Sequence, residues 1–402
     1  MGMGDLILTL NAGSSSIKLA LFEAGAGPEL MARGQVEGLG AKPRLTAIDA
    51  EGRPLIDRLL DPTEGAGHAP ALGAVLGFVG SAFAGRSIAA VGHRVVHGGL
   101  AYTLPVAIDD TVVAGLEALK PLAPLHQPHN IAGIRAARAA FPQALQVACF
   151  DTAFHRQHPW VDDTFALPRR LYEEGVRRYG FHGLSYEYMA VVLAERHGEA
   201  ACGRTLVAHL GSGASLCAMH GLQSQATTMG FSALDGLMMG TRTGALDPGA
   251  VLYLMEVEKL TLEQVGHILY HESGLLGVSG ISSDPRELLA REATEPRAAL
   301  ALQLYVRRIV REIGALTSVL GGLDMLVFTA GIGEHSVALR QRICSELGWL
   351  GVDIDALANA TDAPLISTAT SRVRVAVEPT NEEWIAARYA QRLLGTAAID
   401  PS

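Results

Sequence analysis

Positive charge is in short supply in this chain. Its 402 residues include 32 Lys and Arg against 41 Asp and Glu, a formal charge of −9. Such a balance weighs against nucleic acid or an anionic membrane as a partner. An anionic substrate would have to be held by individual arginines. Long apolar runs are missing too, and about 18 consecutive apolar residues are needed to span a bilayer. The opening stretch MGMGDLILTLN has no basic segment or cleavage site, so a secretory signal is not expected. Cysteine is sparse: Cys149, Cys202, Cys217 and Cys344 are scattered without a CxxC pair. They read as reduced thiols of a cytoplasmic protein rather than as a disulfide frame, and the histidines lack zinc-site spacing. No GxxxxGK[ST] string is present, which excludes a Walker A loop.

What is present instead is a pair of glycine-serine turns, each flanked by apolar, strand-like runs. The first is Asn11-Ala12-Gly13-Ser14-Ser15-Ser16-Ile17-Lys18, and the second is Leu210-Gly211-Ser212-Gly213-Ala214-Ser215. Gly and Ser leave backbone N–H groups open to an anion. Two such turns in two halves of the chain suggest duplicated phosphate-binding folds with a nucleotide between them. Asn11 suits a hydrated metal ion or a phosphate, and Lys18 suits phosphate charge.

The pattern predicts paired strands over 5–10 and 16–23, strand-like pieces near 44–48 and 55–60, and a strand over 87–96. Helical spacing follows over 111–119 and 130–140, then a short buried strand over 146–150. Residues 155–180 read as loop and 185–196 as helix. A second strand-turn-strand covers 205–219. Helices are expected over 247–258, 261–271 and 297–320, a strand over 326–329, a helix from about 336, a strand over 372–377, and an amphipathic helix over 381–394. Strands alternating with helices imply α/β layers, and the length suggests two domains.

Several strings place chemistry at strand ends and turns. Gly92-His93-Arg94-Val95-Val96-His97-Gly98-Gly99 sets Arg94 where an apolar strand meets glycines; an arginine fork there can grip a carboxylate, although for Arg94 taken alone a surface ion pair is the favoured reading. Pro121–His126 is a rigid apolar turn, either a pocket wall or a plain loop. Cys149–His155 puts Asp151 at the end of a buried strand, where α/β sites sit. His182 lies between glycines, and a lone histidine is more often structural. Arg242 occupies the tight turn Met239–Gly244, suited to developing phosphoryl charge. Asp284-Pro285-Arg286 either touches a nucleotide or caps a helix. Gly331-Ile332-Gly333-Glu334 follows a strand and opens a helix, a place for a nucleotide to approach backbone. Glu382 starts the last helix, where a carboxylate could hold Mg²⁺.

In this order the strings NAGSSS, GHRVVHGG, FDTAFH, YGFHG, MGTRTGALDPG, AGIGE and TNEE resemble the acetate kinase family over nearly the whole chain. That resemblance implies an α/β fold of two duplicated domains, of the actin, heat-shock ATPase and sugar-kinase superfamily, with a nucleotide cleft between them. It implies an acyl-substrate domain of residues 1–152 plus 384–402 and a nucleotide domain of residues 153–383. It implies reversible transfer of a phosphoryl group from ATP to acetate with Mg²⁺ (Mn²⁺ as an alternative ion), and a homodimer. Matched motif by motif, Asn11 and Glu382 are metal-associated. Lys18 and the stretch His209, Leu210, Gly211, Ser212, Gly213 contact phosphate. Arg94 holds the substrate carboxylate, with Val96, Leu125 and Phe181 around its methyl group. Asp151 is the catalytic acid/base position, and His182 and Arg242 stabilise the transition state. Asp284, Pro285, Arg286, Gly331, Ile332, Gly333, Glu334 and His335 meet the nucleotide.

Three positions depart from the family pattern. Ser212 replaces an Asn, and its shorter side chain would weaken one phosphate contact while the turn glycines remain. Ala233 replaces a Pro, and a wider pocket there would admit propionate, making a propionate kinase the alternative reading. Ala226 replaces an Asp. A non-catalytic ATP-binding switch is a remoter alternative, since a mere binder needs no carboxylate grip.

Overall fold

The computed structural model describes residues 5–13, 16–39 and 42–397; Ser14 and Ser15 of the first turn, and the first four residues, lie outside them. The chain divides into two compact units: Met1–Ala153 with Asn381–Ser402, and Phe154–Thr380.

In the first unit the strands are β1 (Leu6–Ala12), β2 (Ile17–Glu23), β3 (Glu29–Glu37), β4 (Arg44–Asp49), β5 (Pro54–Leu59), β6 (Ile88–Val95), β7 (Val106–Ala107) and β8 (Leu145–Phe150). They form one sheet in the order β5-β4-β3-β2-β1-β6-β8-β7. β1 to β5 run as an antiparallel meander, whereas β1, β6 and β8 are parallel. β1 is buried on both faces, which explains its nearly unbroken apolar sequence. Leu6, Leu8 and Leu10 join Leu72, Val75 and Val79 of the helix His68–Ala82 in one cluster. Gly92, paired with Thr9, backs onto the C-terminal helix Glu382–Ala397; a Cβ there would lie 2.9 Å from the Ala386 carbonyl oxygen.

The second unit holds β9 (Arg204–Leu210), β10 (Ala214–His220), β11 (Gln223–Thr227), β12 (Met325–Thr329) and β13 (Arg374–Val377), in the order β11-β10-β9-β12-β13. Here β9, β10 and β11 are antiparallel, and β9, β12 and β13 are parallel. The string β3-β2-β1-β6-β8 of the first sheet is matched strand for strand and direction for direction. The duplication expected from the twin turns is therefore present in the topology. Each turn closes a hairpin, Asn11 pairing with Lys18 and Leu210 with Ala214.

Four features differ from the expectation. β3, β11 and the helix His68–Ala82 went unanticipated. The helix over 261–271 is two pieces, an α-helix Leu262–His267 and a π-turn Ile268–Glu272. The chain leaves the first compact unit after Ala153 and returns to it at Asn381. The returning segment is tied in by Glu382, whose carboxylate meets Arg94 of β6.

Candidate active site

The chemistry-bearing residues gather in two clusters, one in each unit. In the first unit two strand ends and a helix start converge. Arg94, near the end of β6, donates from Nε to Asp151 Oδ1 at 2.9 Å and from Nη2 to Oδ2 at 2.7 Å. Its Nη1 meets Glu382 Oε2 at 2.8 Å. Asp151 follows β8 directly and is 2% exposed. Glu382 opens the C-terminal helix, where Asn381 accepts the Trp384 N–H at 2.9 Å as a cap. One guanidinium thus serves two carboxylates, leaving a surplus negative charge. Burial works against the Arg94 charge, but Asp151 and then Glu382 outweigh it and hold its pKa above the ordinary value. Glu382 is pushed up to about 7, by burial first and then by Asp151 and Glu383, against the pull of Arg94 and Lys18.

The first turn is fixed from behind. Asn130, buried in the helix Gln127–Ala140, donates from Nδ2 to the Ala12 carbonyl at 3.0 Å, and its Oδ1 accepts the Val96 N–H at 3.0 Å. One amide therefore joins the residue after Asn11 to the stretch after Arg94. His68 Nε2 lies 2.5 Å from the Gly13 carbonyl oxygen. Sequence reading passed over Asn130 and His68, because a buried amide's partners lie far along the chain.

Within the second unit His182 and Arg242 meet at the second turn. A Cβ on Gly213 would lie 2.9 Å from His182 Nε2 and 3.2 Å from Arg242 Nη2. Glycine is needed here for close approach. His182 caps the helix Gly183–His197 in the left-handed region, at φ 59°, a costly setting for a residue with a side chain. Its Nδ1 lies 2.8 Å from Ser215 Oγ, which is also 2.5 Å from the Tyr186 hydroxyl. Its ring stacks on His209, with centroids 4.2 Å apart. His209 Nδ1 in turn meets Ser185 Oγ at 2.8 Å, and that hydroxyl meets Thr380 Oγ1.

Arg242 has no carboxylate partner among the described residues; its Nη1 donates to the Ala233 carbonyl at 2.7 Å. Burial lowers its pKa from the ordinary guanidinium value. A half-buried guanidinium paired only with a carbonyl is a site prepared for an anion. The loop around it is pinned by the π-turn: Thr243 N–H donates to the Leu269 carbonyl and Thr241 Oγ1 to the Tyr270 carbonyl, at 3.1 and 2.9 Å. Such π-turns often mark functional sites, and no periodicity in the sequence announced this one.

The remaining candidates are more dispersed. Asp284 caps the helix Pro285–Arg291 through the Arg286 N–H and forms an ion pair with the exposed Arg286 side chain, which holds the Asp284 carboxyl below its ordinary range. Gly331, Ile332, Gly333, Glu334 and His335 lie in the short helix Ala330–His335 after β12. Ala330 is left-handed at φ 64°, Gly331 faces open space, and Glu334 Oε1 accepts the Thr380 N–H. Leu210, Gly211 and Ser212 form the second turn, where Gly211 N–H donates to the Gly213 carbonyl. Val96 and Leu125 belong to the first unit and Phe181 to the second, so neither unit assembles the three by itself.

No group of three or more His, Cys, Asp or Glu among the described residues could hold a metal ion. A cation here would lean on phosphate oxygens and water, which is how Mg²⁺ usually binds. The donor chemistry fits that mode: hard oxygens on Glu382, Asp151 and Asn11, and an acidic surplus reflected in the raised Glu382 pKa.

Comparison with known proteins gives consistent relatives. The profile of the Acetokinase family matches residues 6–388. The acetate kinase of Rhodopseudomonas palustris (strain TIE-1) is 51% identical over 397 residues, spanning 97% of this chain and 99% of that protein. The acetate kinase of Methylocella silvestris is 50% identical over 404 residues, spanning 98% and 100%. Among solved structures, Porphyromonas gingivalis acetate kinase superposes with a TM-score of 0.85 at 36% identity, over 97% of this chain and 100% of that one. A propionate kinase from Francisella tularensis gives a TM-score of 0.89 at 34% identity, over 96% and 99%.

Proposed function

Because the chain belongs to the acetokinase family, phosphotransferases with a carboxyl acceptor, we propose that it transfers the γ-phosphoryl group of ATP reversibly to acetate, giving acetyl phosphate and ADP. The observation that carries this reading furthest is the convergence of His182 Nε2 and Arg242 Nη2 over Gly213, with Arg242 lacking an acidic partner among the described residues.

The acceptor is a carboxylate, ionised at neutral pH because carboxyl pKa values lie near about 4. No general base is needed to expose its lone pair. The obstacle is repulsion between two anions, so positioning and charge neutralisation do the catalysis. Arg94 takes the acyl carboxylate, and Asp151 keeps the guanidinium in plane through its two-point bond. Arg242 and His182 receive the oxygens of the moving phosphoryl group. For His182 Nε2 to donate, Nδ1 must accept. Tyr186, whose hydroxyl burial keeps protonated, donates to Ser215, and Ser215 donates to Nδ1. Asn11 and Glu382 would hold Mg²⁺, which supplies neutralisation of phosphate oxygens when bound. The segments Asp284–Arg286 and Gly331–His335 would meet the nucleotide.

A homodimer is part of the proposal. The helix Pro248–Glu256, PGAVLYLME, buries none of its residues, and Leu252 and Tyr253 are more than half exposed. An apolar helix with Leu252, Tyr253 and Met255 exposed on one side calls for a cover, and a second copy supplies one. Four free thiols and no helix long and apolar enough to cross a membrane among the described residues support a cytoplasmic enzyme.

A preference for propionate is the second reading, favoured by Ala233, whose carbonyl holds Arg242 and whose side chain is small. The test is acyl-phosphate formation from Mg-ATP, trapped with hydroxylamine, over acetate, propionate and butyrate. The highest kcat/KM with acetate is expected. Propionate ahead would move the assignment to the sister activity, and no product with any acid would sink the enzyme reading.

A further inference from the structure

The string Phe150–His155 contributes Asp151 to the site, yet its last residue also has a defined place. We propose that His155 is a positioning residue for His182: it fixes the Phe181 carbonyl and thereby the left-handed turn that aims the His182 ring. The inference rests on reading His182 as a stabiliser of the moving phosphoryl group.

His155 is fully buried, so it cannot touch a substrate. Its Nε2 lies 2.9 Å from the Phe181 carbonyl oxygen. A carbonyl only accepts, so Nε2 carries the proton and, in the neutral ring, Nδ1 is an acceptor. The Ser224 hydroxyl, 2.8 Å away, donates to Nδ1. Ser224 Oγ then has two lone pairs left, and two donors face them: His158 Nε2 at 2.7 Å and the Cys217 thiol at 3.2 Å. The Ser224 proton is thereby committed to His155 Nδ1, whether the Cys217 thiol donates to Ser224 Oγ or to the Ala218 carbonyl 3.8 Å away. Burial holds each member in the form this requires. It lowers His155 to about 4 and His158 to about 2, and pushes the Cys217 thiol up to about 12.

The ring also shapes the turn sterically. Gly180 is left-handed at φ 74°, and a Cβ on it would lie 2.5 Å from His155 Cδ2. Two left-handed residues, Gly180 and His182, therefore flank the one carbonyl that His155 holds. The same ring packs edge-on against Tyr186, centroids 5.6 Å apart, and Tyr186 bonds the serine that sets His182 Nδ1. His155 thus acts on both the backbone and the side-chain support of His182.

The test is a double-mutant cycle on the full-length enzyme, with steady-state kinetics for Mg-ATP and acetate. His182→Ala alone must lower kcat by about 10²-fold or more; if it does not, the role given to His182 fails, separately from this inference. His155→Asn is expected to lower kcat by about 10- to 100-fold while both KM values stay within about twofold, since a small misplacement is felt in the transition state. On the His182→Ala background the same substitution should cost no more than about twofold, because its effect runs through the missing ring. Losses that multiply in full, or KM rising in step with the fall in kcat, overturn the proposal. Should His155→Asn not fold, Ser224→Ala keeps the ring and enters the same cycle; a kcat equal to that of the unaltered enzyme, or a loss undiminished without His182, overturns it equally.

Discussion

At the scale of single residues, the two arginines divide the labour by their partners. Arg94 bonds two carboxylates and keeps one N–H on each terminal nitrogen for the acid, whereas Arg242 has only a carbonyl. Removing the unpaired one strips charge from the transition state. Arg242→Ala is expected to lower kcat by about 10²- to 10³-fold with little change in nucleotide affinity, checked by kinetics beside calorimetric ADP binding. Asp151→Asn should act differently. It keeps the shape but gives up one of the two charge-assisted bonds to Arg94, so KM for the acid should rise more than kcat falls. A large kcat loss at unchanged KM would return Asp151 to a proton-transferring role.

Turns and helices determine whether those side chains can meet. The second hairpin turn works only because residue 213 has no side chain. Gly213→Ala inserts a methyl group 2.9 Å from His182 Nε2 and should lower kcat at least about tenfold, with stability nearly unchanged because the site is a surface turn without a left-handed φ. Fluorescence-detected unfolding beside kinetics separates the two effects. Legibility in the sequence followed the same logic of elements. The hairpins flanking both turns, the strand ends bearing Arg94 and Asp151, and the helix after Asn381 follow from local pattern. β3 escaped because its sequence ELMARGQVE alternates weakly and carries charge at both ends. The helix His68–Ala82 escaped because Gly73, Gly77 and Gly80 lower helix propensity, while Leu72, Val75 and Val79 bury against β1 and override it. Asn130, Ser215 and Ser224 escaped because polar residues that bond across the fold leave no periodic trace. The motif resemblance supplied roles that spacing alone left open, above all for His182 and Glu382.

Over the whole molecule, buried titratable groups set the response to acid. His93, His155 and His158 are held neutral by burial, the first two lowered to about 4 and the third to about 2. Their stabilising contribution is complete above the unfolded value near about 6.5 and is lost as pH falls toward the folded values. Glu382 runs the other way: raised to about 7, it stabilises the fold below about 4.5 and loses that contribution as pH climbs through 7. Between about 4.5 and 6.5 three protons oppose one, so the unfolded chain takes up about two more protons than the native one. Tm of the metal-free protein should therefore fall from pH 6.5 to 4.5, and Glu382→Gln should steepen the fall. A flat or rising Tm in scanning calorimetry would contradict the burial of these rings. The bare helix Pro248–Glu256 gives a second test at this scale: Leu252→Asp with Tyr253→Asp should convert a dimer to a monomer in light scattering, with secondary structure retained. The discontinuity of the first unit has a consequence for synthesis. The second unit is one unbroken stretch, Phe154–Thr380, and the first is interrupted by it. On a ribosome, β1, β6 and β8 emerge early but wait for the C-terminal helix, with Ile385, Ala386 and Ala387 still to be made, before one face of their sheet is covered. The unit translated first is thus finished last, and the nascent chain carries an open apolar sheet that chaperones can engage until the helix Glu382–Ala397 is made.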